Sequence, residues 1–136
     1  MKIFTKEIII NSSSRVEFID ITENILKVVK ESKIDDGICY IFVPHTTAAV
    51  IINENADSSV VEDIIKKVQD LIPQYEKYYT HIEGNSDAHI KSSIIGTSIN
   101  VFVSNNKLKL GTWQGIFFCE FDGPRQRKVW IKIFGE

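Results

Sequence analysis

Two runs of apolar residues constrain the fold of this chain more than any other feature of its sequence. The segments 38–43 and 113–121 carry apolar side chains at both odd and even positions. Because successive side chains of a strand point to opposite faces, such strands need cover on both sides. Pro44 ends the first run, and a turn around Gly123 follows the second. Both runs therefore predict strands that are buried on two faces.

The remaining strand-like runs are rich in β-branched or aromatic residues and lie between polar turns. They span residues 3–11, 16–19, 48–52, 97–104, 107–110 and 129–134. Asn105 and Asn106 suit a tight turn between two of these runs, and the Asp-Asp-Gly segment 35–37 predicts another turn. We therefore expect sheets built mainly from antiparallel strands.

Two long helices are predicted from apolar residues that recur at helical spacing. The first spans residues 21–31, and Asp20 together with Glu23 resembles a capping box at its start. The second spans residues 60–72 and would be capped by Asp57 or by the serine after it. Both helices should bury one apolar face against a sheet.

The stretch 79–96 is predicted to carry the functional site of the chain. Its Gly-Asn-Ser turn allows Asn85 or Ser86 to cap a short helix that runs to the end of the stretch. His89 would then lie in the first turn of this helix, and His81 in the loop before it. The unpaired backbone N–H groups of a helix start suit an anionic ligand.

Composition limits the class of protein. The 136 residues are 43% hydrophobic and carry a formal net charge of −2, which predicts one domain and gives no case for nucleic-acid binding. No run is long enough to span a membrane, and the charged N-terminus does not resemble a signal peptide, so we expect a cytoplasmic protein. Cys39 and Cys119 are expected to be buried thiols. The fold class is α+β: one domain over residues 1–136, mainly an antiparallel β-sandwich, with two main helices and one short helix.

The three histidines are the first candidates for chemistry. His45, His81 and His89 each lie beside a turn or a strand end. A single histidine is more often a surface residue or a hydrogen-bonded core residue than a ligand. Three imidazoles from separate segments can nevertheless bind a catalytic zinc ion and leave one position open. No local motif such as HExxH supports this, so the meeting of the three side chains is an assumption.

Other candidates surround the histidines. Glu54 and Asp122 are candidate general bases, and carboxylates near these turns could also hold Mg²⁺. Asp87 is expected to cap a helix, and Lys91 to be a solvated charge. The candidates for substrate binding share polar or planar side chains near the turns: Thr46, Thr47, Asn85, Trp113, Gln114, Arg125 and Arg127. The two arginines could grip a phosphate or form surface salt bridges, and Trp113 could equally be a core residue.

Several motifs resemble one protein family when they are taken together and in order. They are His45-Thr46-Thr47-Ala48-Ala49, Ile52-Asn53-Glu54-Asn55, Gly84-Asn85, His89-Ile90-Lys91-Ser92-Ser93, Leu110-Gly111-Thr112-Trp113-Gln114 and Glu120-Phe121-Asp122-Gly123-Pro124-Arg125. The chain resembles the YjbQ-like family, whose members are often labelled secondary thiamine-phosphate synthases. The resemblance covers nearly the whole chain and implies a compact β-sandwich, a homotrimer and pockets near subunit interfaces.

The resemblance also implies an activity. This activity joins a pyrimidine-methyl diphosphate to a thiazole phosphate and expels pyrophosphate. It calls for cationic groups at the leaving group, and Mg²⁺ is a candidate for one of them. Three hypotheses remain open. The first is an enzyme that acts on a phosphorylated metabolite with His45, Glu54, His89 and Asp122 as catalytic residues. The second is a zinc-dependent hydrolase that uses the three histidines, and the third is a non-catalytic binding protein.

Overall fold

Eight strands form two antiparallel sheets in this computed structural model, which describes residues 1–136. The strands are β1 Lys2–Asn11, β2 Glu17–Asp20, β3 Asp36–Phe42, β4 Ala48–Glu54, β5 Ser98–Ser104, β6 Lys107–Leu108, β7 Gln114–Glu120 and β8 Gln126–Gly135. The large sheet has the order β1-β8-β3-β5-β6, and the small sheet has the order β2-β7-β4. The inner faces of the two sheets share one core, so the predicted α+β sandwich is confirmed.

Three helices complete the fold: α1 Thr22–Ser32, α2 Ser58–Leu71 and α3 Ser86–Ile95. Asp57 caps α2 as predicted, since its carboxylate accepts a hydrogen bond from the Ser59 N–H at 3.0 Å. At α1 the N-cap residue is Ile21, and no side chain makes a cap bond, so the predicted capping box of Asp20 and Glu23 does not form; Asp20 accepts the Thr22 N–H instead, at 2.9 Å. No residue of α2 is fully buried although one side of it is apolar.

The core lies between the sheets because their strands alternate between buried and exposed residues. In β8, Val129, Ile131 and Ile133 point inward, while the residues between them are exposed. The helix α1 closes the core with three buried side chains, Ile25, Val28 and Val29. A smaller cluster on the other side of the small sheet joins Ala49, Cys119 and Phe121 to Ala88 of α3. The structure therefore has three layers: the large sheet, the small sheet, and α3 with α2.

The predicted two-sided burial is correct for β7 and wrong for β3. Residues 115–120 of β7 are all buried because the large sheet covers one face and α3 the other. In β3 the outward-facing Tyr40 and Phe42 are 44% and 43% exposed, because nothing in the chain covers the outer face of the large sheet. The predicted turn at 35–37 is also shorter, since β3 already begins at Asp36.

A buried ion pair ties the end of β7 to the start of β8. Glu120 is 0% exposed and Arg127 is 5% exposed. The Glu120 carboxylate accepts hydrogen bonds from the Arg127 guanidinium, from Ser12 Oγ at 2.7 Å and from the Asp122 N–H at 3.0 Å. Burial alone raises the pKa of Glu120, but these donors outweigh burial and the net pKa is lowered. Arg127 also donates to Thr47 Oγ1 at 2.9 Å, so its guanidinium holds three segments together.

A second buried charge cluster lies in the first turns of α3. Asp87 is 0% exposed and accepts two hydrogen bonds from Arg15, at 2.9 and 3.2 Å, and one from Lys91 Nζ at 2.8 Å. Lys91 is 1% exposed and also donates to Gln69 of α2 at 2.6 Å, so the prediction of a solvated lysine is wrong. Burial raises the pKa of Asp87, but Arg15 and Lys91 more than offset this and the net pKa is lowered.

We expect Glu120→Ala to destabilise the protein strongly. The change leaves the buried Arg127 guanidinium without its carboxylate, and breaking a buried pair in this way costs about 3–5 kcal/mol. The double variant Glu120→Leu with Arg127→Met should lose less, because no buried charge remains. Denaturant unfolding of both variants measures the difference. A double variant that is no more stable than Glu120→Ala would contradict the account.

The lowered pKa values of Asp87 and Glu120 predict acid sensitivity. Each group stabilises the fold fully above its unfolded pKa, about 3.9 for Asp and 4.3 for Glu, and this stabilisation is lost as the pH falls through the folded value. The free energy of unfolding should therefore fall steeply below about pH 4, and Asp87→Asn should flatten this dependence. Asp63→Asn, at an exposed site of α2, is the matched control. Equal slopes for the two variants would show that Asp87 does not carry the effect.

Candidate active site

Two of the three histidines lie against each other, edge to face, and line the same cavity. The ring centroids of His81 and His89 lie 5.3 Å apart, and their planes are nearly perpendicular at 89°. The cavity has a volume of about 420 Å³ and is lined by Tyr78, Tyr79, Thr80, His81, Ser86, His89 and Ile90. It lies between the segment before α3 and the first turns of that helix, as the sequence predicted for this stretch.

The start of α3 is anchored to the turn after β7 by Asn85 and Asp122. Asn85 occupies the N-cap position, but its side chain makes no cap bond and instead donates to Asp122 Oδ2 at 2.9 Å. Its backbone oxygen accepts the N–H of His89 at 3.3 Å. Asp122 also accepts a hydrogen bond from Arg125 Nη2 at 3.1 Å. These contacts connect three predicted residues to the segment that carries His89.

His45 lies in a different cavity from the other two histidines. That cavity, of about 470 Å³, is lined by Phe42, Val43, Pro44, His45, Thr46, Thr97 and Arg127. His45 Nε2 accepts the Lys128 N–H at 2.9 Å, so the proton of the neutral ring lies on Nδ1. Burial and, next, the charge of Arg127 lower the pKa of His45, which favours this neutral form.

The arrangement limits how one chain could hold zinc. No group of three or more His, Cys, Asp or Glu side chains comes together in a geometry that could hold a metal ion. In His45 the hydrogen bond from Lys128 occupies the lone pair of Nε2, and Nδ1 carries the proton, so neither nitrogen is free to ligate. A three-histidine site within one chain does not fit these residues. The zinc and Mg²⁺ hypotheses remain predictions.

The other predicted residues are divided between several places. Arg127 donates its hydrogen bonds to Glu120 and Thr47. Of the two roles considered for this arginine, it therefore forms a salt bridge and does not bind a phosphate, and the salt bridge is buried and not on the surface. Trp113 is 64% exposed and lies just before β7, so it is not a core residue. Gln114 Oε1 accepts the Gly111 N–H and lines a shallow cavity of its own.

Glu54 lies far along β4 from the histidines. It pairs in register with Gln114, whereas Ala48, at the other end of the strand, pairs with Glu120. The strand rises about 3.3 Å per residue, so the six steps from Ala48 to Glu54 separate these residues by about 20 Å. Within one chain, Glu54 is therefore not placed to act with the groups around Glu120 and Asp122.

Sequence reasoning missed several residues that shape the His81–His89 cavity. Tyr78, Tyr79 and Thr80 directly precede His81 and line the cavity, where the Tyr79 hydroxyl donates a hydrogen bond to the Pro73 carbonyl oxygen at 3.0 Å. A run of three hydroxyl-bearing residues before a candidate histidine was the available signal. Arg15 was also missed, because only the fold brings it to Asp87, 72 positions away.

The cavity offers the chemistry of two imidazoles and several hydroxyls on an open surface. Imidazoles exchange protons near neutral pH, and hydroxyls donate hydrogen bonds to an oxyanion. The buried cluster of Arg15, Lys91 and Asp87 has one more positive charge than negative charge, whereas the Glu83 carboxylate lies 3.7 Å from His81 Nε2. The imidazoles and hydroxyls of the site can therefore donate hydrogen bonds to a substrate.

No helix of the structure is both long enough and apolar enough to cross a membrane. Both cysteines are free and buried, as predicted. Burial raises the pKa of Cys39 to about 12 and raises that of Cys119 as well, so both thiols stay protonated. Neither cysteine contributes to the cavity.

Comparison with known proteins gives consistent results. The chain is 54% identical over 127 residues to a UPF0047 protein of Methanocaldococcus jannaschii, covering 93% of this chain and 91% of the relative. It is 46% identical over 130 residues to the UPF0047 protein YugU of Bacillus subtilis, with 96% and 98% coverage.

Solved structures agree with these sequence relatives. A YjbQ/UPF0047 protein of Clostridium acetobutylicum matches with a TM-score of 0.92 at 50% identity, covering 95% of this chain and 99% of that one. A protein of unknown function from Sulfolobus solfataricus matches with a TM-score of 0.94 at 36% identity, covering 99% of each chain. The family model described as UPF0047 protein YjbQ-like matches residues 6–136. The chain therefore belongs to the YjbQ-like UPF0047 family.

Proposed function

We propose that this chain is a cytoplasmic enzyme that acts on a phosphorylated small molecule in the cavity lined by His81 and His89. The observation that carries the proposal is the pair of adjoining imidazoles on one open cavity. Both rings belong to segments with hydroxyl side chains, and the helix start beneath them supplies backbone N–H groups. The Tyr79 hydroxyl already donates to the Pro73 carbonyl oxygen at 3.0 Å, so a phosphate group would accept hydrogen bonds from the imidazoles and from the other hydroxyls of the cavity.

The proposed reaction type is the one that the family resemblance implies. A thiazole phosphate nitrogen attacks the methylene carbon of a pyrimidine-methyl diphosphate, the carbon–oxygen bond breaks, and pyrophosphate leaves with the bonding electrons. His81 and His89 would stabilise the charge on the leaving group and donate a proton to it. Asp122 acts as a positioning residue, since it holds Asn85 at the start of the helix that carries His89.

The proposed working form is a homotrimer. Exposed apolar side chains on α2, on α3 and on the segment between them support self-association: Leu71, Tyr75, Tyr78, Ile82 and Ile94 are each at least 67% exposed. Exposed apolar surface of this kind is typical of protein interfaces. A neighbouring subunit seated there would cover the open cavity and could add the His45 region of its own chain. The cavity would then lie at a subunit interface.

Replacing His89 by Ala tests the catalytic role. The expected result is a loss of pyrophosphate release of about a hundredfold or more, the usual contribution of an acid–base group. Asn24→Ala, at an exposed site on α1, is the control and should keep full turnover. Turnover measured with the pyrimidine diphosphate and the thiazole phosphate decides the outcome. Unchanged turnover in His89→Ala would remove this residue from the mechanism.

A zinc-dependent hydrolase is the second candidate, and one distance favours it. Tetrahedral Zn–N bonds of about 2.0–2.1 Å place two ligating ring centres about 5 Å apart. The centroids of His81 and His89 are separated by 5.3 Å. A third ligand would have to come from outside the chain, and zinc bound there would activate a water molecule.

Metal analysis separates the two candidates. If the first proposal is correct, purified protein holds less than one zinc ion per three chains, and a chelator selective for zinc over magnesium leaves turnover unchanged. Stoichiometric zinc that is lost in His81→Ala and in His89→Ala, but kept in Asn24→Ala, would instead establish the metal site. Elemental analysis and a chelator titration provide both measurements.

A further inference from the structure

The outer face of the large sheet carries an aromatic surface that the proposed reaction does not use. Phe42 of β3 pairs in register with Trp130 of β8, and their rings stack with centroids 5.9 Å apart and planes 21° apart. The two side chains are 43% and 47% exposed. In the next row of the sheet, Tyr40 pairs with Lys132. Opposed residues share a face, so all four side chains point outward together.

The charges on this face favour an anion. Glu7, opposite Trp130, is already engaged, because its carboxylate accepts the indole N–H at 2.8 Å and lies 4.0 Å from Lys128 Nζ. Lys132 makes no ion pair or hydrogen bond in the structure, although it lies directly beside the aromatic pair. The face therefore offers exposed aromatic rings next to one uncommitted ammonium group.

The groove on this face is large enough for a small ligand. Its volume is about 410 Å³, within the range of about 300–1,000 Å³ that is common for ligand sites. Thr5, Glu7, Tyr40, Phe42, Trp130 and Lys132 line it. An aromatic ring stacked on Trp130 and Phe42 would place a substituent over the next row of the sheet. That row carries the ammonium group of Lys132 and the hydroxyls of Tyr40 and Thr5.

We propose that this groove binds a planar aromatic ring that carries a phosphate group. This chemistry is shared by a free nucleotide and by one nucleotide of a single strand. The ring stacks on the exposed aromatic pair, and the phosphate pairs with Lys132. A second copy of the chain seated here would bury the uncommitted Lys132 ammonium, which is costly unless the partner supplies a carboxylate, whereas a phosphate supplies the opposite charge itself. The site is independent of the histidine cavity.

Calorimetric titration with AMP tests the proposal. We expect AMP to bind more tightly than adenosine, and its affinity to fall with added salt while that of adenosine does not. Lys132→Ala should reduce the AMP affinity to that of adenosine and leave adenosine binding unchanged. Trp130→Ala should weaken both ligands about tenfold or more, as expected for a lost stacking partner. Lys27→Ala, an exposed lysine on α1, is the matched control and should bind AMP normally.

Three results would overturn the proposal. They are absence of AMP binding to the native protein, AMP binding that survives in Trp130→Ala, and adenosine binding as tightly as AMP. Sedimentation provides a further test, since an oligomer that dissociates in Trp130→Ala would show that this face is covered by another copy. A short single-stranded oligonucleotide that binds more tightly than AMP, with the same loss in Trp130→Ala, would support the proposal and identify a strand as the source.

Discussion

The ion pair between Glu120 and Arg127 is the interaction on which the rest of this fold depends. Two strands of different sheets meet at this point, and a charged carboxylate there would be very costly without its partner. Glu120 also accepts a hydrogen bond from Ser12, and Arg127 donates one to Thr47, so the pair joins four separate segments of the chain. Because Asp122 N–H bonds to the same carboxylate, the turn after β7 has a defined position.

Hydrogen bonds connect that turn to the candidate site. The Asp122 carboxylate accepts a hydrogen bond from the Asn85 side chain, and the backbone oxygen of Asn85 accepts one from the His89 N–H. The Arg15–Asp87–Lys91 cluster fixes the same helix from its buried side and reaches α2 through Gln69. The arrangement places one histidine on a rigid helix and the other on an irregular segment, which is typical of sites that bind a ligand between a scaffold and a loop.

Most of the fold could be predicted from the sequence because its signals are local. Alternating residues in β8, the cap at Asp57 and the Asn105-Asn106 turn all act over a few positions, and the structure contains each of them. Burial of β3 could not be predicted correctly, since its outer face depends on whether another layer covers the sheet. The sandwich architecture was predicted from the pattern of strands and helices, and the family resemblance implied the same architecture.

The candidate site was less predictable because its contacts are distant in sequence. The stretch 79–96 correctly brought His81 and His89 together, since both lie within one segment of the chain. His45 was expected beside them, but its segment follows β3 and packs against Lys128 of β8 instead. Lys91 and Asp87 are four residues apart on one helix, a spacing that indicates an ion pair, but burial of that pair depends on Arg15 and Gln69.

A crystal structure of the protein grown with pyrophosphate would test the central claim most directly. The account predicts phosphoryl oxygens within hydrogen-bond distance of both His81 and His89, above the start of α3. Pyrophosphate bound elsewhere, for example beside Arg125 or in the cavity of His45, would contradict it. So would histidine rings that turn away from a common cavity.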